Sequence, residues 1–111
     1  MKSEQELVDT WIQKLGVRYF NETTNTLLLM EEVGEFTRLI ARKYGEQSFK
    51  NAESEIDLKA QLEDELSDIL FVVICLANQF NIDLDQAFKN NMLKKTTRDN
   101  KRHTENPKLK N

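Results

Sequence analysis

The sequence predicts an all-α fold, a bundle of four helices, on three observations. Three Gly and one Pro in 111 residues leave few turn formers, whereas Leu, Glu, Lys and Gln, all good helix formers, abound. Apolar residues recur at helical spacing in four segments. No stretch alternates as a half-buried strand would. The length suits one domain with little spare apolar surface, and packing helix on helix is the only layer arrangement open to it.

The first helix is expected from Ser3 to Leu15, with Leu7, Trp11 and Leu15 as its apolar stripe and Ser3 and Glu6 as a capping box. "GVRYFNETTN", residues 16 to 25, breaks that pattern. A second helix should run from near Asn25 to near Tyr44, with Gly45 as its C-terminal cap. After the polar connection "GEQSFKNAESEI", Ser54 or Asp57 should open a third helix that continues to Phe80. Asn81 marks the next break, and Asp83 is placed to cap a fourth helix reaching about Lys101. Pro107 and the loss of periodicity then argue for a tail. The expected organisation is one helical domain over residues 1–104 and a tail over 105–111.

Several function classes fall away on composition. The polar, acidic start "MKSEQELVDTW" lacks the apolar stretch of a signal peptide. The longest uncharged apolar run, "ILFVVICLA", has nine residues, against roughly twenty for a membrane span. Cys75 is the only cysteine, which excludes an intrachain disulfide and a cysteine metal site and makes Cys75 a core residue. A cytoplasmic protein without a membrane partner is expected. The net charge of −3 is unevenly spread. Residues 89–111 carry eight Lys or Arg and two acids, while residues 1–88 carry eight basic and seventeen acidic residues. An acidic body with a basic C-terminal segment points to cation binding and anion binding as separate tasks.

The acids of the second and third helices are oddly placed. At about 100° per residue, Glu32 and Glu35 share the stripe of Leu28, Phe36 and Leu39, and Glu31 sits at its border. In the third helix Glu65 and Asp68 share the stripe of Ile69, Val72 and Leu76, whereas Glu63 and Asp64 face away. If the two helices run antiparallel, Glu35 and Glu65 each lie about 12 Å from the turn, and Glu32 and Asp68 about 16 Å. Four carboxylates then meet inside a helix pair. Without counter-charge they would be costly, and an all-oxygen set of this kind suits Mg²⁺, with Mn²⁺ as a substitute. A di-iron centre would need paired Glu-x-x-His motifs, but His103 is the only histidine. In the fourth helix Lys94, Arg98 and Lys101 fall within about 60° on one face, a stripe suited to polyphosphate. Trp11, Tyr19 and Phe20 are either core residues or a stacking surface for a base.

The pattern Glu31-Glu32-x-x-Glu35 followed by Glu65-x-x-Asp68 resembles the signature of MazG-like nucleotide pyrophosphohydrolases, within the all-α NTP pyrophosphatase superfamily. The likeness extends over about residues 20 to 103 and includes "EEVGE", "DELSDILFVVICLANQ", "RKYGEQSF" and "KKTTRDNKRH". It implies Mg²⁺-dependent hydrolysis of a nucleoside triphosphate between the α- and β-phosphates, serving nucleotide-pool cleaning. It also implies a homodimer or tetramer whose chains complete each bundle. By position, Glu32, Glu35, Glu65 and Asp68 would be metal ligands and Glu31 an accessory catalytic acid. Where the family often shows Lys-x-x-x-Asn-x-x-Arg, this chain has "NMLKKTTR". Arg98 matches, and Asn91 and Lys95 stand in the Lys and Asn positions, so Lys94, Lys95, Arg98 and Lys101 are the substrate-binding candidates. Two other classes explain less. A nucleic-acid-binding module accounts for the basic segment but not for the inward acids, and a non-catalytic oligomerisation bundle gives the acids no task beyond structural metal.

Overall fold

The computed structural model describes residues 1–46 and 57–110. Its helices are α1 (Lys2–Lys14), α2 (Glu22–Tyr44), α3 (Leu58–Gln79), α4 (Leu84–Lys94) and α5 (Asn100–Thr104), with a π-type turn over Lys95–Asp99 and a 3-10 turn over Pro107–Leu109. No strand occurs among the described residues. The all-α expectation holds.

Each helix boundary has a local cause. Asn21 caps α2 by accepting from the Thr24 amide at 2.8 Å, so the helix begins at Glu22, three residues before the expected start. Gly45 ends α2 as expected, although its φ of −96° is not left-handed. A glycine is needed there because a Cβ would lie 2.5 Å from the Ala41 carbonyl oxygen. Asp57 precedes α3; Ser54, the other expected start, lies outside the described residues. Asn81 breaks the chain with φ +55°, and the Asp83 carboxylate caps α4 through the amides of Asp85 and Gln86.

The capping box at Ser3 does not form. Ser3 Oγ donates to Glu4 at 2.8 Å, and α1 is capped from another helix instead. Asp85 accepts from the Lys2 amide at 3.1 Å and the Met1 amine at 2.8 Å. A carboxylate there opposes the positive end of the α1 dipole, and local sequence carries no sign of it.

The helices α2 and α3 pair in antiparallel order. Asn25, near the start of α2, bonds to Gln79 at the end of α3, while Glu32 meets Glu65 and Asp68 further back. Helix α1 packs on α3 through Val8, Ile12, Ile74 and Cys75, so Cys75 is a core residue. The stripe expected to hold α1 is not the one that does so. Leu7, Trp11 and Leu15 remain 69%, 52% and 55% exposed, and the face one residue further round is buried. Trp11 packs its ring edge-on to Phe71 of α3 at 5.8 Å.

The fourth helix leaves the bundle. The run from Leu84 to Thr104 turns 103° from α3, and no residue of α4, the π-type turn or α5 is buried. The radius of gyration is 17.9 Å, where a compact chain of this length has about 13 Å. A single chain is thus three packed helices and an arm, and the four-helix arrangement is not closed within it. Within the arm the π-type turn advances less per residue than an α-helix. It interrupts the α-helical spacing between Lys94 and Lys101 on which the expected 60° stripe was drawn.

Candidate metal and nucleotide site

Three of the four inward acids meet at one level of the α2/α3 pair, and the fourth lies beside them. A carboxylate oxygen from each of Glu32, Glu65 and Asp68 lies within 4.8 Å of the others. Glu35, one turn after Glu32, is within hydrogen-bonding reach of both Glu32 and Glu65. All four are half-buried, whereas Glu31, Glu63 and Asp64 are exposed. The helical spacing explains this division. Residues three apart fall on one face, and that face is also the one carrying Leu39 and Val72 into the core.

The electrostatics of the cluster are unresolved by protein alone. Oε2 of Glu32 and Oε2 of Glu65 are buried without any hydrogen-bond partner. Burial first, then the Glu35 carboxylate beside it, pushes the Glu65 pKa up to about 7. Burial, followed by the charges of Glu35 and Asp68, raises that of Glu32. The charged neighbours acting on these two groups are all carboxylates. Ionised carboxylates only accept hydrogen bonds, so contacts among them require shared protons or a cation. Orphaned oxygens, mutual spacing and an all-oxygen donor set fit a hard divalent cation.

The basic candidates lie elsewhere. Lys94, Lys95, Arg98 and Lys101 are exposed. Lys95 donates to Asn91 at 2.6 Å, so the two residues exchanged relative to the family pattern bond each other, and Arg98 pairs with Asp99 at 3.2 Å. Asp68 is eleven residues before the end of α3, Arg98 fourteen beyond the start of α4, and the bend is 103°. At 1.5 Å per residue these place Arg98 roughly 25 Å from the carboxylates of its own chain, so one chain does not bring the acidic and basic candidates together.

A feature the sequence left open lies beside the acids. A largely apolar cavity of about 420 Å³ opens between α1, the following loop and the α2/α3 pair, lined by Trp11, Phe20, Asn25, Leu28, Phe71 and Val72 among others. Leu28 and Val72 are each one turn from a cluster acid, Glu32 and Asp68. Of the three aromatics in question, Trp11 and Phe20 are exposed at this cavity. Tyr19 is held by Asp9 and Asn78 through its hydroxyl and packs against the core. Asn25, buried in the cavity wall, could not have been singled out without the fold.

Comparison with known proteins agrees with this arrangement. Residues 20–103 match the MazG nucleotide pyrophosphohydrolase domain. The uncharacterized protein YpjD of Bacillus subtilis (strain 168) is 38% identical over 104 residues, covering 94% of this chain and 90% of its own. A crystal structure of YpjD superposes with a TM-score of 0.72 at 33% identity, covering 88% of this chain and 94% of that one. The Bacillus-conserved MazG protein, a nucleotide pyrophosphohydrolase, does so at 0.69 and 36%, covering 84% and 85%. The bovine (Bos taurus) dCTP pyrophosphatase 1 is 41% identical over 69 residues, which are 61% of this chain and 40% of that enzyme. No single helix among the described residues is long and apolar enough to cross a membrane. The chain belongs to the MazG nucleotide pyrophosphohydrolase family, hydrolases that act on the phosphoanhydride bonds of nucleotides.

Proposed function

We propose that the chain is a Mg²⁺-dependent nucleoside triphosphate pyrophosphohydrolase that releases a monophosphate and pyrophosphate, and that it acts in the cytoplasm to clear nucleotides from the pool. The observation that carries this reading is the pair of orphaned oxygens, Glu32 Oε2 and Glu65 Oε2, inside a group of four acids. Glu32, Glu35, Glu65 and Asp68 hold the cation, for which Mn²⁺ can substitute. When bound, the metal supplies charge neutralisation on the phosphates and a water acidified enough to attack.

The protein's own part is positional. The helix pair holds the acids together on its inward face. Glu31, exposed beside Glu32, takes the proton from the attacking water. The water oxygen bonds to phosphorus as the α,β-anhydride bond breaks, and its electron pair leaves with pyrophosphate. Lys94, Lys95, Arg98 and Lys101 hold the outer phosphates. Because those cations stand roughly 25 Å from the acids of their own chain, they serve the site of a second copy. A homodimer or tetramer follows, and it also covers the exposed Leu7 and Phe88.

The full chain incubated with a panel of nucleoside triphosphates and Mg²⁺ should release pyrophosphate, and a chelator should stop it. Inorganic phosphate in place of pyrophosphate, or no product, counts against the reading. Light scattering at micromolar concentration should exceed the 13.0 kDa of one chain.

A further inference from the structure

The side chain of Asn25 is 4% exposed and lines the aromatic cavity beside the acids. Its orientation is fixed by a relay of amides. Gln79 Nε2 donates to the Phe20 carbonyl at 2.6 Å, which turns Gln79 Oε1 towards Asn25. Asn25 Nδ2 then donates to that oxygen at 2.7 Å and to the Phe20 carbonyl at 3.3 Å. A flipped amide would set Asn25 Oδ1 against two acceptors. Oδ1 is therefore held on the other side, where it accepts no hydrogen bond from any described residue. Among the described residues, the fully enclosed side-chain atoms without partners are on Glu32 and Glu65, which leaves Asn25 Oδ1 open to the cavity that Asn25 lines. A fixed acceptor in an apolar, aromatic wall calls for a flat ligand with a donor at its far end.

The cavity's place says which ligand. Asn25 precedes Glu32 by seven residues, about 10 Å along α2, so a nucleotide with its phosphates at the acids directs its base into the cavity. The group opposite the glycosidic bond then enters deepest: the exocyclic substituent at position 4 of a pyrimidine or position 6 of a purine. We propose that Asn25 is a specificity-determining residue whose Oδ1 accepts from an exocyclic amino group there, so that cytosine and adenine nucleotides are favoured over uracil, thymine and guanine nucleotides. A keto oxygen in that position faces another acceptor and stays unpaired in an apolar wall, which costs more than a merely missing contact. This rests on the pyrophosphohydrolase reading for the direction in which the nucleotide lies.

Two measurements on the full chain test it. In pyrophosphate release with Mg²⁺, dCTP and dATP should exceed dUTP, dTTP and dGTP in kcat/KM by at least about tenfold. Asn25→Leu, close in shape but without the acceptor, should lower dCTP and dATP by roughly 10- to 100-fold and leave the keto nucleotides within about threefold, so the preference collapses. Equal use of amino and keto nucleotides by the parent overturns the proposal while leaving the hydrolase reading intact, and needs no variant to fold. If no nucleotide is turned over, the hydrolase reading fails, and quenching of the single tryptophan, Trp11, still decides the base. Stronger quenching by dCMP than by dUMP supports the amino reading, and equal or no quenching by the two overturns it.

Discussion

The α2/α3 pair places polar side chains in its interior at two levels, and the levels behave oppositely. At the Asn25 end, amides orient amides and leave Asn25 Oδ1 open to the cavity. Asn25, Gln79 and the Phe20 carbonyl form one relay. One residue earlier on α3, Asn78 accepts from the Gln5 side chain and donates to the Gln5 backbone carbonyl and the Tyr19 hydroxyl. At the Glu32 level, like charges meet and two oxygens have no partner at all. Buried polar groups that complete one another specify the fold. Groups that cannot complete one another mark the place where something from outside the chain belongs. The same helix pair thus supplies both the scaffold and the site, and the two can be separated by substitution.

The largest expected effect is on turnover at the acidic level. Glu35→Gln or Asp68→Asn should reduce pyrophosphate release by more than about a hundredfold, since even outer-shell changes at metal sites cost 10- to 100-fold. The metal-free melting temperature should hold or rise, because one crowded anion has gone. Wild-type turnover in Glu35→Gln would place that residue outside the site. At the amide level the pattern should invert. Asn78→Ala strips Gln5 and Tyr19 of a shared partner and should cost about 2–3 kcal/mol, seen as a melting temperature lower by about 10 °C or more. Turnover per folded molecule should be nearly unchanged. Should Asn78→Ala instead spare stability and abolish activity, the contrast between the levels is wrong.

A smaller effect separates the levels by pH. The folded chain holds protons on Glu65 up to about pH 7 and on Glu32 above its ordinary range. The unfolded chain releases both near pH 4.3. Metal-free stability from these groups is fully present below that value and is lost as pH rises through about 7. Melting in a chelator should therefore fall between pH 5 and 8, and Mg²⁺ should oppose the fall. The amide level carries no such dependence, so Glu65→Gln should flatten the profile. The smallest effect is on the arm. Lys94→Ala and Arg98→Ala should raise KM several-fold while shifting the melting temperature by less than about a degree, as exposed charges contribute little to stability. An unchanged KM in both would remove them from the substrate.

Much of this contrast was legible before the fold. The acids that share one face, Glu32, Glu35, Glu65 and Asp68, follow from helical spacing alone, and so do the exposed Glu63 and Asp64, because local geometry decides them. What depended on contacts between distant residues was not legible. Asp85 capping α1, the burial of Val8 and Ile12 in place of Leu7, Trp11 and Leu15, and the Gln79 relay that orients Asn25 all join segments more than fifty residues apart or choose between two apolar faces of one helix. Periodicity shows that α1 has an apolar stripe, but not how much of it this chain covers. The arm shows the same limit. Its helical run was readable to about Lys101 and continues to Thr104, but neither the π-type turn at Lys95–Asp99 nor the 103° departure from α3 has a sequence signature.

The central claim is that the four acids form a cation site, and thermal unfolding of the nucleotide-free chain tests it most directly. At fixed protomer concentration and pH 8, the parent is compared with Glu65→Gln, each in chelator and in saturating Mg²⁺. The parent should gain on the order of 10 °C from the metal, as binding at a hundred times Kd stabilises by about 2.7 kcal/mol. Glu65→Gln should melt at or above the parent in chelator and gain little from Mg²⁺. A parent indifferent to Mg²⁺, or a Glu65→Gln variant that keeps the full gain, would contradict the account.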